Sequence, residues 1–280
     1  SDLAGLGLDF GNPVFDGPGT SRAPLAVTFE EVATGETFTV TVNHFKSKGS
    51  VSPVGNNQGT GDGTGNNNEA RLQAAIALDA WLDTDPTGSG DEDFLIIGDL
   101  NAYAMEDPIQ YLLEEGYEDQ VQRFLEPGEF EYSFGFPLDL GTSPQVQAFG
   151  ALDYVLASNS MAAQVTGAAE WHTNADEASV FDYNTNFKPP EQIDGLYDET
   201  PFRASDHDPV IIGLDLTPSA NIIDGTADRD ILVGTNEADI ITGFGNRDLL
   251  FGRGGADIFR YTSPVDAGDR IFGFEVGVDL

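Results

Sequence analysis

The stretch FLIIGDLNA at residues 94–102 sets the expected fold of the chain. It begins with a short apolar run, which is typical of a buried β-strand, and Asp99 and Asn101 follow directly where that strand would end. Two further apolar segments, at residues 151–157 and 209–216, also predict strands and carry polar residues in or beside them. We therefore expect a sheet whose strand ends gather polar side chains.

Strands and helices surround this stretch. Residues 25–32 and 38–45 are rich in β-forming residues and are joined by a TGE turn, which indicates a hairpin. Residues 68–83 have apolar side chains at helical spacing, and residues 107–116 have Pro near the start and Gly at the end, which is typical of a short helix. Residues 46–68 are rich in Gly, Asn and Ser and predict a long loop. This mixture indicates an α/β or α+β layered domain.

Polar clusters lie at the ends of four predicted strands, and such clusters often converge on one edge of a sheet. A histidine with a carboxylate partner can take a proton from water, and carboxylates bind Mg²⁺ or similar hard ions. An Asn amide or a second His can donate hydrogen bonds to a phosphate. The set suits metal-assisted phosphodiester hydrolysis. The clusters are residues 43–48, Asp99 with Asn101, Asp153, and residues 205–208.

Each of these residues also has a purely structural explanation, which the sequence leaves open. His44 could be a strand-end histidine that bonds to backbone, and Asp99 could be a turn residue, which is a common position for Asp before a loop. Lys46 and Lys48 could lie in a solvated turn. His172, in the segment EWHTNADE, is expected to be structural or to lie at the rim of a site.

The motifs GDLNA and SDHDPV, with NHFKSKG before them and LDYVL between them, resemble the endonuclease/exonuclease/phosphatase superfamily, the fold of DNase I. The longer segments NHFKSKGS, IIGDLNAYAMEDPI, QVTGAAEWHTNADE and FRASDHDPV are similar to the secreted bacterial nucleases of that superfamily. The resemblance covers roughly residues 20–216. It implies that residues 1–217 form part of a layered sandwich of the DNase I-like type.

This resemblance implies how water would be activated. His207 would be the general base, and Asp153 would orient it and stabilise its charge. Asp99 and Asn101 would position the attacking water and contact the scissile phosphate.

The resemblance also implies a metal site and a surface for phosphate. Asp206 and Asp99 would bind Mg²⁺ or Mn²⁺, and His44 would hydrogen-bond a phosphate oxygen or the leaving group. Residues 1–218 contain only seven basic residues, so those close to the motifs are candidates for substrate contacts. These candidates are Lys46, Lys48 and Arg71.

The family's first half supplies an Asn on the first strand, a metal-binding Glu and the acidic partner of the first His. No matching stretch precedes His44 in the sequence. The resemblance therefore implies that the chain covers about half of the sandwich and lacks the principal metal ligand. On this interpretation, the 280 residues alone are expected to be inactive or very weakly active.

Residues 218–280 carry a nine-residue repeat of the form G-x-x-x-x-D-(I/L)-x-x. Glycine permits a tight turn, Asp supplies a hard carboxylate for Ca²⁺, and the aliphatic residue after each Asp is expected to pack inward. The repeat resembles the RTX nonapeptide of calcium-binding parallel β-rolls. The repeated positions are Gly225, Gly234, Gly243 and Gly252; Asp230, Asp239, Asp248 and Asp257; and Ile231, Ile240, Leu249 and Ile258.

That resemblance implies a small parallel β-roll over residues 218–280, with the four repeated Asp residues as Ca²⁺ ligands. Most copies are imperfect, because only Gly255 keeps the second turn glycine. Some of the Ca²⁺ sites are therefore expected to be weak or absent. Residues 269–280 look like the cap that often follows such repeats, and the end at Leu280 predicts a truncated cap.

The composition limits the classes of function. The chain carries 48 Asp and Glu against 12 Lys and Arg, a formal net charge of -36, of which residues 1–218 contribute -30. Leu, Ile, Val and Phe make up about a quarter of the chain, above the roughly one fifth that is typical of charge-driven disorder. No apolar run approaches the ~20 residues of a membrane span. The absence of Cys excludes a disulfide, an Fe–S cluster and a thiol nucleophile.

These observations favour a secreted, metal-dependent nuclease that acts on DNA and/or RNA without an obligate protein partner. It would hold Mg²⁺ or Mn²⁺ at the catalytic site and Ca²⁺ in the C-terminal repeats. Because the acidity argues against a grip on a polyanion by charge alone, substrate binding is expected to be weak and cation-dependent. Two alternatives stay open: a phosphodiesterase acting on lipid or sugar phosphates such as sphingomyelin, and a non-catalytic secreted calcium-binding or adhesive protein. A protease is disfavoured, because no H-E-x-x-H motif occurs.

Overall fold

The computed structural model describes residues 3–32, 34–53, 57–61, 64–138, 146–181, 185–186, 188–196, 203–216, 221–236 and 238–280. The chain divides into two compact units, one formed by Ser1–Glu31 with Thr37–Asp215 and the other by Val32–Glu36 with Leu216–Leu280. The domain boundary predicted between residues 217 and 218 lies outside the described residues.

The larger unit is built around a mixed sheet of five strands in the order β1-β2-β3-β7-β4. In this sheet β2 and β3 run parallel, and the other neighbours run antiparallel. Two further antiparallel pairs join β5 to β6 and β8 to β9. The strands are β1 (Leu25–Glu30), β2 (Thr37–His44), β3 (Phe94–Asp99), β4 (Glu118–Asp119), β5 (Phe134–Leu138), β6 (Val146–Gly150), β7 (Asp153–Ala157), β8 (Val165–Glu170) and β9 (Val210–Leu214).

The two longest helices of the larger unit pack apolar side chains against the sheet. The stripe of the longest helix, which includes Leu78, packs with Leu112, Ile96 and Leu156 in one core, and all four side chains are fully buried. The second helix has Pro108 in its first turn, where the missing N–H of proline leaves no intrahelical bond unmade. The helices are α1 (Asn68–Leu82), α2 (Asp107–Glu114), α3 (Gln120–Phe124), α4 (Asn159–Ala162) and α5 (Pro190–Leu196).

The predicted strands and helices correspond to β1, β2, β3, β7, β9, α1 and α2, with ends that differ by one or two residues in most cases. The mixed sheet with helices packed on it agrees with the predicted layered α/β domain. No helix in the described part of the chain is both long and apolar enough to cross a lipid bilayer.

The smaller unit consists of short parallel strands that repeat along the chain. β10 (Asn221–Asp224), β12 (Asp239–Thr242) and β14 (Ile258–Phe259) form one sheet, and β11 (Ile231–Val233), β13 (Leu249–Phe251) and β15 (Arg270–Phe272) form another. All neighbours in both sheets are parallel. Each nine-residue repeat thus supplies one strand, and consecutive strands alternate between the two sheets.

The interior of the smaller unit differs from the prediction. The aliphatic residue directly after each repeated Asp was expected to pack inward, but Ile231 is 67% exposed and Ile258 is 37% exposed. Buried positions follow one residue later, at Ile241, Leu250 and Phe259. Successive side chains of a strand point to opposite faces, so a one-residue error in phase moved the predicted core to the solvent side.

Candidate active site

The polar residues predicted at strand ends lie side by side at one edge of the five-stranded sheet. His44 ends β2, Asp99 ends β3 and Asp153 begins β7, and the register pairs His44 with Asp99 and Asp99 with Asp153. The strands β2 and β3 approach closely here because Gly98 has no side chain. A Cβ atom on Gly98, whose φ is +116°, would lie 2.2 Å from the carbonyl oxygen of Asn43.

A segment from another part of the chain brings His207 to the same edge. An isolated antiparallel bridge joins His207 to Phe134, and the imidazole Nδ1 lies 2.6 Å from Oδ2 of Asp153. Burial lowers the pKa of His207, but the hydrogen bond and charge of Asp153, together with the charges of Asp99 and Asp206, raise that pKa above its ordinary value on balance. Because a carboxylate can only accept, Nδ1 carries a proton and Nε2 is left to exchange one.

A buried hydroxyl that the sequence did not reveal fixes the carboxylate of Asp153. The Ser133 side chain is fully buried, and its Oγ donates to Oδ2 of Asp153 over 2.7 Å. The same Oγ accepts hydrogen bonds from the backbone N–H groups of Leu152 and Asp153, each at 3.0 Å. One carboxylate oxygen therefore receives both Ser133 and His207, which holds the histidine ring in one orientation.

Asp99 and Asn101 form a closed pair. The backbone N–H of Asn101 donates to Oδ1 of Asp99 and its Nδ2 donates to Oδ2, each over 2.8 Å, while Nδ2 also donates to the carbonyl of Phe45 over 3.1 Å. Both amide protons of Asn101 are thus used within the protein. In this structure Asn101 positions Asp99 and has no spare amide proton for the predicted phosphate contact.

The carboxyl of Asp99 is electrostatically strained. Burial, followed by the negative charge of Asp153, raises the pKa of Asp99 to about 6. The proximity of His207 and the N–H of Asn101 lower it, and Asp206 raises it further. A nearby cation would stabilise the ionised form of a carboxylate that is buried beside another negative charge. The electrostatics therefore favour a positively charged ligand at this edge.

His44 has a cationic neighbour that the sequence analysis did not single out. A guanidinium nitrogen of Arg22 hydrogen-bonds to Nδ1 of His44, and Nε2 of His44 lies 3.6 Å from Oδ2 of Asp99. Because a guanidinium can only donate, Nδ1 accepts, and the proton of the neutral ring lies on Nε2. Burial, then the charges of Arg22 and His207, lower the pKa of His44. His44 is therefore a neutral ring with one N–H directed into the site.

The arrangement fits a divalent cation. Asp99, Asp153 and His207 each offer one ligand atom, and these three atoms lie within 4.8 Å of one another. Among the described residues, this is the one group of three or more His, Cys, Asp or Glu side chains that could hold a metal ion. Hard cations prefer carboxylate oxygens, and imidazole suits several divalent metals. Asp206, the predicted partner of Asp99, is not in this group, although its charge acts on both Asp99 and His207.

Arg71, a predicted substrate contact, lies in the interior. Its side chain is fully buried, and its guanidinium donates to the carbonyls of Lys46, Thr64 and Asn66 and to the carboxylate of Glu106. Arg71 instead ties the long loop after β2 to the start of α1.

Lys48 is also committed within the protein. Its ammonium bonds to the carboxylate of Glu106 and to the carbonyl of Thr64, and it lies 4.8 Å from the centre of the Tyr103 ring. Lys46 is mostly buried, and its ammonium lies 3.3 Å from the carbonyl and hydroxyl oxygens of Ser47. Lys48 and Arg71 both pair with the carboxylate of Glu106. Among the described residues, the ammonium of Lys46 has no such carboxylate partner.

His172 lies away from the group of Asp99, Asp153 and His207 in its own set of contacts. Its Nδ1 is 3.2 Å from Oδ2 of Asp208, and its ring stacks on Tyr132 with a centroid distance of 3.9 Å. Asp208 also accepts hydrogen bonds from the backbone N–H groups of Thr173 and Ala175. These bonds fasten the EWHTNADE segment to the segment that carries His207, which is a structural role.

A carboxylate-held histidine, a strained carboxylate and a neutral second histidine, gathered at one sheet edge, define a site suited to metal-assisted hydrolysis. The model of the Endonuclease/Exonuclease/phosphatase family matches residues 13–207. The chain therefore belongs to this family. A search of curated proteins found no match to the chain.

Several solved structures match part of the chain at low sequence identity. A mannosyl-6-phosphatase from Bacteroides thetaiotaomicron is 14% identical with a TM-score of 0.41, over 69% of this chain and 56% of that protein. A 3′ phosphatase from Neisseria bound to a product DNA hairpin is 17% identical with a TM-score of 0.36, over 65% and 63%. An AP endonuclease from Archaeoglobus fulgidus is 16% identical with a TM-score of 0.35, over 64% and 62%. The chain thus spans about two fifths to two thirds of the structures it matches.

Proposed function

We propose that this chain carries the catalytic residues of a metal-dependent nuclease that hydrolyses phosphodiester bonds in DNA and/or RNA. The observation that carries the proposal is the meeting of the His207–Asp153 pair with Asp99 at one sheet edge, with ligand atoms within 4.8 Å of one another. Each of these residues comes from a different strand or loop, so sequence proximity does not explain their convergence.

In the proposed reaction, His207 accepts the proton of the attacking water at Nε2, and Asp153 and Ser133 keep Nδ1 in place. His44 donates its Nε2–H to an oxygen of the phosphate or of the leaving group. Asp99 and Asp206 would hold Mg²⁺ or Mn²⁺, with Asp153 as a further available ligand. Such an ion supplies charge stabilisation for the phosphate oxygens.

The proposed substrate has to overcome the charge of the chain. A net charge of -36 repels a polyanion, so we propose that cations at the site, together with Arg22 and Lys46, provide the attraction. The guanidinium of Arg22 already lies against His44. Binding is then expected to weaken strongly when divalent cations are removed.

The test incubates the chain with plasmid DNA, RNA and sphingomyelin vesicles in Mg²⁺, Mn²⁺, Ca²⁺ or EDTA. Cleavage of nucleic acid that requires Mg²⁺ or Mn²⁺ and is lost in His207→Ala supports the proposal. His172→Ala is the matched control and should retain activity, because His172 contacts Asp208 and Tyr132 instead of the cluster. Hydrolysis of sphingomyelin with intact nucleic acid would establish the lipid-phosphate alternative.

Because the described cluster offers two carboxylates and one imidazole, the turnover of this chain is expected to be slow. A direct measurement of Mn²⁺ binding by electron paramagnetic resonance gives a readout that does not depend on turnover. Binding that is lost in Asp99→Ala and kept in His172→Ala supports the proposed metal site. Absence of Mn²⁺ binding to the unaltered chain, together with absence of cleavage, would favour a non-catalytic protein.

We further propose that the smaller unit is a calcium-binding β-roll of a secreted protein. The supporting observation is Asp248, which is 1% exposed and whose Oδ2 has no hydrogen-bond partner. The turn before it holds Phe244 and Asn246 at φ +60° and +74°. By contrast, Oδ2 of Asp230 and of Asp239 accepts the N–H and hydroxyl of the threonine four residues earlier.

Among the four predicted Ca²⁺ ligands, Asp248 therefore fits a cation best, whereas Asp230 and Asp239 are already satisfied. Calcium titration followed by circular dichroism and calorimetry tests this. Ordering of the smaller unit at millimolar Ca²⁺, weakened in Asp248→Asn and retained in Asp230→Asn, supports the proposal and is consistent with folding outside the cell. Absence of any calcium response would overturn it.

A further inference from the structure

In the smaller unit, the sheet formed by β11, β13 and β15 has an apolar outer face. Its outward side chains are Ile231, Val233, Leu249, Phe251 and Phe272, which the strand register sets in two columns on the side opposite to the core of the unit. Ile231 is 67% exposed, and Val233 and Phe272 are also exposed. The rings of Phe251 and Phe272 stack nearly in parallel, with centroids 4.7 Å apart. The outer face is thus an apolar surface that is open to solvent.

An open apolar face on a parallel sheet requires an explanation. Both faces of parallel sheets are usually covered by other parts of the protein, and an exposed patch of neighbouring apolar side chains marks a surface that binds a partner or a membrane. The opposite face of the same sheet carries Leu232, Leu250 and Ile271, which already build the core of the unit. The outer face is therefore left for binding something outside the unit.

Unpaired arginines border this face at both ends of its strands. Arg229 and Arg247 lie two residues before Ile231 and Leu249, Arg253 lies two residues after Phe251, and Arg270 is in register with Leu249 on the outer face itself. All four are exposed, and among the described residues their guanidinium groups have no hydrogen-bond or ion-pair partner. By contrast, Arg260, which follows β14 of the other sheet, is paired with Asp224 over 3.3 Å.

The carboxylates of the smaller unit do not cancel these arginines at the surface. Residues 221–280 contain eleven acidic residues against five arginines, but several of the acidic side chains are buried. The buried ones are Asp239, Asp248, Asp257, Asp266 and Asp279. Four of the twelve basic residues of the whole chain therefore border one apolar face, in a protein whose net charge is -36.

This combination of apolar surface and positive charge discriminates among three kinds of partner. A nucleic acid would pair with the arginines but would gain little from the aliphatic side chains of Ile231 and Val233. A second copy of the chain would cover the apolar surface but would bring the same arginines against one another. An anionic lipid bilayer satisfies both features, because its headgroups attract arginine and its acyl boundary accepts apolar side chains.

We propose that the outer face of β11, β13 and β15 docks on the surface of a membrane that contains anionic phospholipids. Ile231, Val233 and Phe272 enter the interface, and the four arginines meet the headgroups. The remaining charge of the chain repels such a membrane, but this repulsion is screened over about 8 Å at physiological ionic strength. Binding is therefore reversible and confined to this face.

The test is co-sedimentation of the full chain with phosphatidylcholine vesicles and with vesicles that also contain phosphatidylglycerol. Both are measured in millimolar Ca²⁺, the condition in which the smaller unit is proposed to be ordered. The chain should bind the phosphatidylglycerol vesicles more tightly, and added NaCl should weaken that binding because exposed charges are screened. Vesicle binding is read without turnover, so its result is independent of the proposed hydrolysis.

Paired variants assign the binding to the outer face. Arg247→Gln and Arg253→Gln should each lower the vesicle partition coefficient about five-fold, which corresponds to about 1 kcal/mol. Arg260→Gln is the matched control and should have no effect, because Arg260 is already paired with Asp224.

A second pair of variants tests the apolar part of the surface. Ile231→Ser should lower the partition coefficient roughly 5- to 30-fold, since most of this side chain leaves water on docking. Ile222→Ser is the matched control, because Ile222 is 66% exposed but lies on β10 of the other sheet. Circular dichroism in the same buffer confirms that each variant keeps the fold of the unaltered chain.

Three results would overturn membrane docking. The first is equal or absent binding to the two kinds of vesicle, and the second is binding that the variants of the outer face leave unchanged. The third is occupation of the face by another partner without vesicle binding. Loss of oligonucleotide affinity in Arg247→Gln and Arg253→Gln would then identify a nucleic acid, and a dimer in sedimentation velocity that Ile231→Ser dissociates would identify a second copy.

Discussion

Acidic residues follow or begin strands in both units of this protein, but their surroundings differ. In the larger unit Asp99 and Asp153 face each other across neighbouring strands, and burial with mutual repulsion raises the pKa of Asp99 to about 6. In the smaller unit Oδ1 of Asp248 and of Asp257 accepts the backbone N–H of the Asp eighteen residues earlier, from Asp230 over 2.8 Å and from Asp239 over 3.1 Å. The Asp99 carboxylate thus meets another carboxylate, whereas those of Asp248 and Asp257 meet backbone N–H groups.

The largest expected effect comes from removing the charge that holds His207. Asp153→Asn should lower phosphodiester hydrolysis by about 10²–10⁴-fold, because the histidine loses its charged partner and its fixed tautomer. The pKa of His207 should fall at the same time, since the hydrogen bond and charge of Asp153 raise it. Turnover of bis(4-nitrophenyl) phosphate measures the first effect, and NMR titration of the imidazole measures the second.

The matched control for this change is Asp176→Asn, which removes the same charge from an exposed loop position. It should leave both the rate and the pKa of His207 unchanged. If Asp153→Asn retained the full rate, Asp153 would have no part in catalysis, and the carboxylates at the edge of the five-stranded sheet would be as structural as those of the smaller unit.

The second expected effect concerns the strain on Asp99. Its folded-state pKa of about 6 lies above its ordinary value of 3.8, so the folded state binds this proton more tightly than the unfolded state. The associated stability is present below about pH 4 and is lost as the pH rises through about 6. In EDTA, the free energy of unfolding should therefore rise in Asp99→Asn relative to the unaltered protein between pH 4 and 7, by up to ~3 kcal/mol.

Urea unfolding at several pH values measures that difference. Loss of the paired bonds with Asn101 will reduce the gain, so its growth with pH is the diagnostic feature. Glu114→Gln removes an exposed carboxylate of α2 and should show no such growth. A difference between Asp99→Asn and the unaltered protein that stays constant from pH 4 to 7 would mean that the carboxylates at this edge do not repel each other.

The parts of the fold that the sequence predicted have strong periodic or apolar patterns. β3, β7 and α1 combine long apolar runs or stripes with clear ends, because they are buried in one core. β4 has two residues and carries no pattern of its own. The error at Ile231 in the smaller unit arose because a three-residue strand gives too little alternation to fix its phase.

The candidate site was predictable where motifs mark it and not where packing decides. His207, Asp153, Asp99 and His44 stand in recognisable strand-end motifs, and the structure places them at one edge. A sequence does not show whether an arginine is buried, as Arg71 is in the structure. Arg22 could have been noticed as one of seven basic residues in residues 1–218. Ser133 carries no such signal, because its role depends on a hydroxyl that faces a distant strand.

A smaller effect is expected at that hydroxyl. Ser133→Ala removes the hydrogen bond to Asp153 and leaves the buried N–H groups of Leu152 and Asp153 without their acceptor. We expect a loss of about 2 kcal/mol in the free energy of unfolding, measured by urea denaturation. Ser133→Ala should also change the pKa of His207, because Asp153 loses a hydrogen bond. Ser133→Thr retains the hydroxyl, so the pKa of His207 should equal that of the unaltered protein even where the extra methyl group lowers stability. An unchanged His207 titration in Ser133→Ala would show that Asp153 orients the histidine without help.

The smallest expected effect is on stability, at a threonine that hydrogen-bonds to one of the repeated Asp residues. It tests whether that carboxylate is held by protein hydrogen bonds or binds a cation. Thr226 donates its hydroxyl to Oδ2 of Asp230 over 2.9 Å at an exposed turn. Thr226→Val keeps the shape but removes that bond, so it should lower the stability of the smaller unit by about 0.5–1 kcal/mol in EDTA. Thr226→Ser should behave like the unaltered protein. If Thr226→Val cost nothing in EDTA while Asp230→Asn weakened calcium binding, Asp230 would belong with Asp248 as a cation ligand, and the proposed division among the four repeats would fail.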